Sequence, residues 1–193
     1  MARLRSLFVS AIVPVMAPRA AVGVDGGTLS GVMRLFGEAH SIAAASSPLV
    51  GVVAAGTVRL PGGLGSPAAD TVVEPHHTHF VIVPGDTWGA EAPWIADTAT
   101  ALAAGAPSIT VLINGGQIAY SDVQRSVDAG REVIAIAGSG RTADMIAAAL
   151  AGATDDQRAA ALAGSGLVRA VPIDDPAGLL EELSAALGSP MTS

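Results

Sequence analysis

The sequence lacks cysteine altogether and has few aromatic residues. Because none of its 193 residues is cysteine, the chain has no disulfide bond, no thiolate zinc site and no cysteine nucleophile. Aromatic residues make up 3% of the chain although half of all residues are hydrophobic, so the core must be built from Ala, Val, Leu and Ile. Side chains of this size suit helices that pack closely on a sheet.

Positive charge and long apolar runs are also scarce. Ten basic residues stand against 17 acidic ones, for a net charge of -7, which argues against nucleic-acid partners and anionic membranes. No apolar run reaches the roughly 18 residues of a membrane span. The first twenty residues resemble a signal peptide, but Pro14 and Pro18 interrupt the apolar stretch and its spacing favours an amphipathic helix. We therefore expect a cytoplasmic protein.

Short, almost continuously apolar segments alternate with helical ones, which is typical of a doubly wound, largely parallel α/β sheet with helices on both faces. The predicted strands are Ala21–Asp25, Leu49–Ala54, Thr78–Pro84, Ser108–Asn114, Glu132–Ala137 and Leu167–Ile173. The predicted helices are Leu29–Ala45, Ala92–Ala104, Ile118–Ala129, Thr142–Leu150, Asp155–Ala163 and Pro176–Leu187. Residues 57–77 are expected to form a long loop, residues 1–188 one domain, and residues 189–193 a disordered tail.

Three predicted strands end in a glycine-rich turn that opens a helix. Because the carboxyl ends of parallel strands share one edge of the sheet, where ligands bind, we expect the turns to lie there together. Free amides and the positive end of each helix dipole favour a phosphate at such a turn. The candidate residues are Gly26, Gly27 and Thr28, then Gly115 and Gly116, and finally Gly138, Ser139, Gly140 and Arg141.

Arg141 is the strongest candidate for binding a phosphate, because a guanidinium beside helix amides can hold an oxyanion through two hydrogen bonds. The alternative is a surface arginine that pairs with Asp144 at i,i+3 spacing. None of the three turns is a complete dinucleotide-binding fingerprint or Walker loop. Glycine can also occupy such turns for geometric reasons alone.

Histidines and other polar residues flank the third predicted strand. On a strand, His77 and His79 would face the same way and could bind a ribose or phosphate, or else be structural. With Asp86 or Glu91 they could instead form a metal site, for which the signal is weak, so we predict none. In the following loop, Trp88 is a candidate for stacking on a base and Glu91 for lining the pocket, although Trp88 and Trp94 could equally be packing residues.

Five segments in order resemble the prokaryotic LSDAT family of the SLOG superfamily, which is similar to the cytosolic N-terminal region of melastatin-type TRP channels. They read VDGGTLSGVMRLFGEA, PLVGVVAAGTV, VEPHHTHFVIVPGDTWGAE, VLINGG and AGSGRTAD. The resemblance implies a Rossmann-like fold and a role in sensing or processing a nucleotide-derived ligand, such as ADP-ribose or another NAD derivative. It places ligand contacts at the three glycine turns and at His77 and His79.

The chain departs from these relatives in two respects. A strand and glycine-rich turn that usually precede the segment VDGGTLSG have no counterpart here, so an open sheet edge must be covered and a homo-oligomer is expected. The related Lonely Guy phosphoribohydrolases carry a catalytic glutamate where this chain has Asp122, which is otherwise an ordinary residue for a first helical turn.

Four functions remain open, of which a metal-dependent hydrolase at His77 and His79 and a structural protein with a vestigial pocket are the two less favoured. The other two are as follows. The first is a sensor module that binds a nucleotide-derived ligand, with Asp25 or Glu38 holding ribose hydroxyls. The second is a hydrolase that cleaves an N-glycosidic bond with Asp122 as the acid or base.

Overall fold

The computed structural model of the chain describes residues 2–60, 62 and 65–189, so the predicted tail lies, apart from Ser189, outside the described residues. Six of the eight strands begin and end within a few residues of the predicted bounds, and β3 and β4 lie in the segment predicted as a loop. They are β1 (Gly23–Asp25), β2 (Leu49–Ala54), β3 (Val58–Arg59), β4 (Thr71–Val72), β5 (His79–Val83), β6 (Ile109–Leu112), β7 (Glu132–Ala137) and β8 (Val168–Pro172). Nearly continuous apolar runs predicted the bounds of β2 and β7 without error, because both strands are buried on each face.

Helices alternate with these strands as predicted. They are α1 (Ala2–Leu7), a π-helical segment (Phe8–Ile12), α2 (Val13–Met16), a 3₁₀ turn (Ala17–Arg19), α3 (Gly31–Ile42), α4 (Ala92–Ala103), α5 (Gln117–Asp128), α6 (Arg141–Leu150), α7 (Gln157–Ala163) and α8 (Pro176–Leu187). The side chain of Asp156 accepts hydrogen bonds from two amides of α7, and that of Asp175 accepts one from α8. These caps explain where both helices begin.

All the paired strands run parallel, which confirms the predicted Rossmann-like α/β class. Hydrogen bonding divides the described strands into one sheet of order β1-β2-β5, another of order β6-β7-β8, and the short pair β3-β4. The sequence predicted one continuous sheet. The structure has instead two three-stranded sheets in which β1 and β6 each pair on one side only.

The two faces of β7 belong to different parts of the core. Ile134 and Ile136 pack in a cluster with the N-terminal helical residues, α3 and α8. Val133 and Ala135 pack with α5, α6 and α7. Because successive strand residues point to opposite faces, helices cover β7 on both sides, as the sequence predicted.

The N-terminal segment forms the amphipathic helix that its spacing predicts. Leu7, Phe8 and Ala11 are buried in the same cluster as α3 and α8, whereas Val9 is exposed. The π-helical segment ends at Ile12, two residues before Pro14. Proline has no backbone N–H, and its ring clashes with the carbonyl four residues earlier in an ordinary α-helix. The proline therefore changes the helix locally without ending it.

The segment predicted as a long loop, residues 57–77, contains more structure than expected. β3 pairs in parallel with β4, and Thr28 forms an antiparallel bridge with Val73. These strands of two residues are too short for a periodic pattern to reveal. They attach the segment to the turn that follows β1.

Candidate functional site

The second and third glycine turns, after β6 and β7, lie against each other. The guanidinium of Arg141 lies over Gly116, where an added Cβ would be 3.2 Å from Arg141 Nη2. The Thr142 hydroxyl donates a hydrogen bond to the carbonyl of Gly116 at 2.9 Å. The backbone N–H of Asn114 donates one to Ser139 Oγ at 2.8 Å. The turn with Gly115 and Gly116 thus contacts the turn Gly138–Arg141, as predicted.

The backbone of these turns takes unusual conformations. Gly140 has a φ of 103° and Gly115 a φ of 88°, which favour glycine. Asn114 and Arg141 also have positive φ, at 60° and 51°, although each carries a Cβ. Non-glycine residues in this region cost free energy, and such residues cluster at functional sites.

Asn114 brings an unpaired acceptor to the same place. Its Oδ1 atom is buried and has no hydrogen-bond partner among the described residues. Its side-chain nitrogen lies 3.7 Å from the position of a Cβ added to Gly140. A ligand that donates an N–H or O–H could satisfy this oxygen. Asn114 is not among the residues predicted for the site, because in the sequence it stands only as the end of a predicted strand.

Carboxylates of the chain itself already occupy two of the predicted phosphate amides. Gly27 donates its N–H to Asp25 Oδ1 at 2.7 Å, and Gly138 donates its N–H to Asp144 Oδ1 at 2.7 Å. The turns do attract anions, but at these two amides the anion is an aspartate. By contrast, the amides of Gly140 and Arg141 donate to no acceptor in the described residues.

Asp144 therefore has a role that the sequence analysis did not foresee. It was considered as a partner for Arg141, and among the described residues no salt bridge joins the two. Its carboxylate instead reaches back to the turn ahead of α6, which the first helical turn allows. The guanidinium of Arg141 is exposed and available to a ligand.

The first turn, after β1, is built around a buried histidine. His77 donates Nδ1–H to Glu74 Oε2 at 2.9 Å and Nε2–H to Asp25 Oδ1 at 2.8 Å. Both ring nitrogens face carboxylates, so the ring carries two protons and a positive charge. The other carboxylate oxygen of Asp25, Oδ2, is buried without a partner among the described residues.

Glu74 holds this cluster together and is completely buried. It also accepts hydrogen bonds from His76, through the backbone amide at 2.9 Å and the ring Nδ1 at 2.6 Å. Burial acts to raise the pKa of Glu74, but the hydrogen bonds from His76 and His77 outweigh it and lower the pKa. Burial acts likewise to lower the pKa of His77, but the carboxylates of Asp25 and Glu74 raise it.

The expectation that His77 and His79 face the same way is wrong. His77 precedes β5 and is buried, whereas His79 opens the strand, is exposed and contacts Thr78. Because both nitrogens of His77 are already used, it has none left for a metal. In the part of the chain that the structure describes, no group of three or more potential metal ligands comes together.

Glu91 and Asp122 lie close enough to influence each other. Burial of Asp122 and the nearby charge of Glu91 raise the pKa of Asp122 to about 6. Asp122 Oδ1 is buried and has no partner among the described residues. Asp122 is the sixth residue of α5, in its second turn rather than the first turn that the sequence analysis expected.

The loop after β5 carries the other predicted pocket residues. Glu91 accepts a hydrogen bond from the amide of Gly89 at 3.1 Å, and Gly89 lies against Ile118 at the start of α5. Trp88, 56% exposed, is free to stack on a ligand, and Trp94 at 45% is likewise not a core residue. Asp86, which the sequence offered as a metal ligand, lies against Gly56.

Glu38, one of two candidates for ribose hydroxyls, lies elsewhere. It projects from α3 and pairs with Arg5 and with Arg34, the latter at 3.7 Å. The i,i+4 spacing from Arg34 explains the second pair. No hydrogen bond between described residues joins the turn after β1 to the other two turns. Among the described residues, hydrogen bonds thus link the second and third turns to each other but not to the first.

The sequence model of the family described as "SLOG in TRPM, prokaryote" matches residues 1–181. The chain belongs to this family. The SLOG chain is also 28% identical over 178 residues to transient receptor potential cation channel subfamily M member 2 of Mus musculus. That alignment covers 74% of the chain but 12% of the channel, so the SLOG chain spans a small part of this relative's length.

Two solved structures resemble the SLOG chain in fold. The X-ray structure of TM1055, a structural genomics target, gives a TM-score of 0.53 at 17% identity and covers 93% of this chain and 85% of that one. The molybdenum cofactor binding protein of the phototrophic bacterium Rippkaea orientalis gives 0.51 at 14% identity, covering 93% and 86%. In addition, no helix of the described residues is long and apolar enough to cross a membrane.

Proposed function

We propose that the chain is a sensor module that binds a nucleotide-derived ligand, such as ADP-ribose, an NAD derivative or a nucleoside phosphate. The observation that carries this proposal is the position of Arg141. Its exposed guanidinium lies over the Gly115–Gly116 turn and forms no salt bridge with a described residue. A phosphate oxygen is a natural partner for a guanidinium in such a turn.

The phosphate binds between the Arg141 guanidinium and the amides of Gly140 and Arg141. These amides open α6, so the helix dipole adds to the attraction. Asn114 Oδ1 accepts a hydrogen bond from the ligand, and Trp88 stacks on its base. This differs from the sequence prediction, because the amides of Gly27 and Gly138 already donate to aspartates.

The comparisons support a small-molecule ligand of this class. The chain belongs to the SLOG family, and one structure of similar fold is titled as a molybdenum cofactor binding protein. We further propose a single domain, a cytoplasmic location and a homo-oligomer, with neither nucleic acid nor membrane as a partner. The net charge of -7 supports the last point.

The experiment that tests this function is a thermal-shift screen against ADP-ribose, NAD, AMP, cyclic nucleotides and other nucleoside monophosphates. A ligand at about a hundred times its dissociation constant stabilises the fold by about 2.7 kcal/mol. Arg141→Ala should weaken binding of the ligand so found by about 1.5–3 kcal/mol, the value of a charge-assisted hydrogen bond.

Arg125→Ala provides the matched control, because Arg125 is an exposed arginine of the neighbouring helix α5. It should bind the ligand as the wild type does. Equal affinity in Arg141→Ala would exclude the phosphate site at this turn. No shift with any of the nucleotides would contradict the ligand class itself.

One observation favours a second function, hydrolysis of the N-glycosidic bond of a nucleoside monophosphate or NAD derivative. A buried carboxyl group with a pKa of about 6 is well suited to general acid–base catalysis near neutral pH, and Asp122 is such a group. Chromatography of each mixture would reveal a released base or ribose phosphate. Asp122→Asn should abolish that release and leave ligand binding intact. A ligand that stabilises the fold without forming products would instead favour the sensor function.

A further inference from the structure

A second polar cleft lies at the opposite end of the β6-β7-β8 sheet from the glycine turns. It encloses about 420 Å³ between the segments that enter β6 and β7, which is within the range of small-ligand pockets. Pro107 and Ser108 line one wall, Gly130 and Arg131 the other. The carboxyl-terminal residue of α4, Ala103, also borders it.

The guanidinium in this cleft is buried without a counter-ion. Arg131 is 6% exposed, and among the described residues no carboxylate forms a salt bridge with it. Its side chain donates to two neutral oxygens, Ser108 Oγ at 3.1 Å and Thr100 Oγ1 at 2.8 Å. A buried charge normally requires an opposite charge, because taking it out of water costs several kcal/mol.

Capping of a helix end does not account for the hydrogen bonds of this arginine. A guanidinium that caps a helix end donates to its last carbonyls, yet the hydrogen bonds of the Arg131 side chain go to hydroxyl groups. The nearest acidic residue along the chain, Glu132, also lines the cleft, but its carboxylate pairs with Arg169 at 2.6 Å. Among the described residues, Arg131 therefore has no carboxylate partner.

We propose that this cleft binds a small, singly charged carboxylate through Arg131, with the hydroxyls of Ser108 and Thr100 orienting the guanidinium. A carboxylate accepts two parallel hydrogen bonds from one guanidinium. Arg131 lines the cleft, and its Nη1 atom donates to no described residue. Multiply charged anions are disfavoured. Glu132 and the negative ends of α4 and α5 border the same space.

The test is a titration of the ¹⁵N-labelled full chain with sodium acetate at constant ionic strength, followed by nuclear magnetic resonance. The expected result is a saturable shift of the Arg131 Nε–H signal and of the backbone amides of Gly105 and Gly130. Arg131→Met keeps much of the side-chain length and should weaken binding by about tenfold or more. Arg125→Met, which removes an exposed charge from the same region, should leave the affinity unchanged.

Several results would overturn the proposal. Shifts that stay linear in acetate concentration, or equal saturable binding in Arg131→Met, would leave the guanidinium as a purely structural group. Tighter binding of inorganic phosphate than of acetate would contradict the ligand class. If Arg131→Met does not fold, the Ser108→Ala variant tests the proposal. It keeps the charge and should bind acetate several-fold more weakly, and unchanged binding would count against the site.

Discussion

Asp122 keeps its proton to a higher pH than an exposed aspartate would. Burial and the charge of Glu91 raise its pKa from 3.8 to about 6 in the folded protein. Between these values the folded state binds more protons than the unfolded state, so stability falls as pH rises through this range. Above pH 6 the folded protein must hold a deprotonated carboxylate in a site that disfavours it.

We therefore predict that Asp122→Asn stabilises the protein at pH 8 by about 2–3 kcal/mol. The gain should be much smaller at pH 4, because the wild-type carboxyl is then protonated in the folded state. Urea unfolding at the two pH values measures this difference. Equal effects at both would mean that Asp122 titrates like an exposed residue.

The cluster of Glu74, His77 and Asp25 stabilises the fold over a pH range with two limits. The pKa of His77 is raised, so its contribution is complete below 6.5 and is lost as pH rises through the folded value. The pKa of Glu74 is lowered, so its contribution is complete above 4.5 and is lost as pH falls through the folded value. The cluster stabilises the fold most between these limits.

Glu74→Gln should destabilise the fold by about 3–5 kcal/mol near pH 6, because it leaves the charge of His77 buried with one partner fewer. Chemical denaturation measures the loss. His79→Gln is the control, since His79 is exposed and the change should cost less than about 0.5 kcal/mol. A similar small loss in both variants would show that Glu74 does not hold the histidine charged.

At the scale of elements, the N-terminal helical segment is part of the core. Phe8 packs against Phe36 of α3, with ring centroids 5.3 Å apart. Phe8→Ala should cost about 3–5 kcal/mol, whereas Val9→Ala on the exposed side should cost far less. Thermal and urea unfolding test this pair, and equal losses would contradict the observed orientation of the helix.

Elements with a continuous apolar run or a helical spacing of apolar residues were predictable, and elements without either were not. Leu49–Ala54, Glu132–Ala137 and Pro176–Leu187 match their predictions residue for residue. The short strands β3 and β4 do not appear in the prediction, because two residues carry no period. The turn after β1 bridges the residue that follows β4, through Thr28 and Val73.

At the scale of the whole molecule, the division of the sheet has a measurable consequence. Within the described part of the chain, β7 pairs on both sides, with β6 and β8, whereas β6 pairs on one side only. In native-state hydrogen exchange, we expect the amides of β7 to be the most protected, and the outward-facing amides of β6 to exchange much faster. Equal protection of β6 and β7 would mean that another copy of the chain covers the open edge, as a homo-oligomer would.

The sequence by itself determined the alternation of helices and strands, the fold class, the glycine turns at strand ends and the family. These features depend on local patterns, namely short apolar runs, helical spacing and motifs of a few residues. Only the tertiary structure decided which charged groups meet. The sequence does not reveal that His77 pairs with Asp25, 52 residues away, or that Arg131 is buried without a carboxylate partner among the described residues. Such pairings depend on how distant segments pack, and no local pattern encodes that.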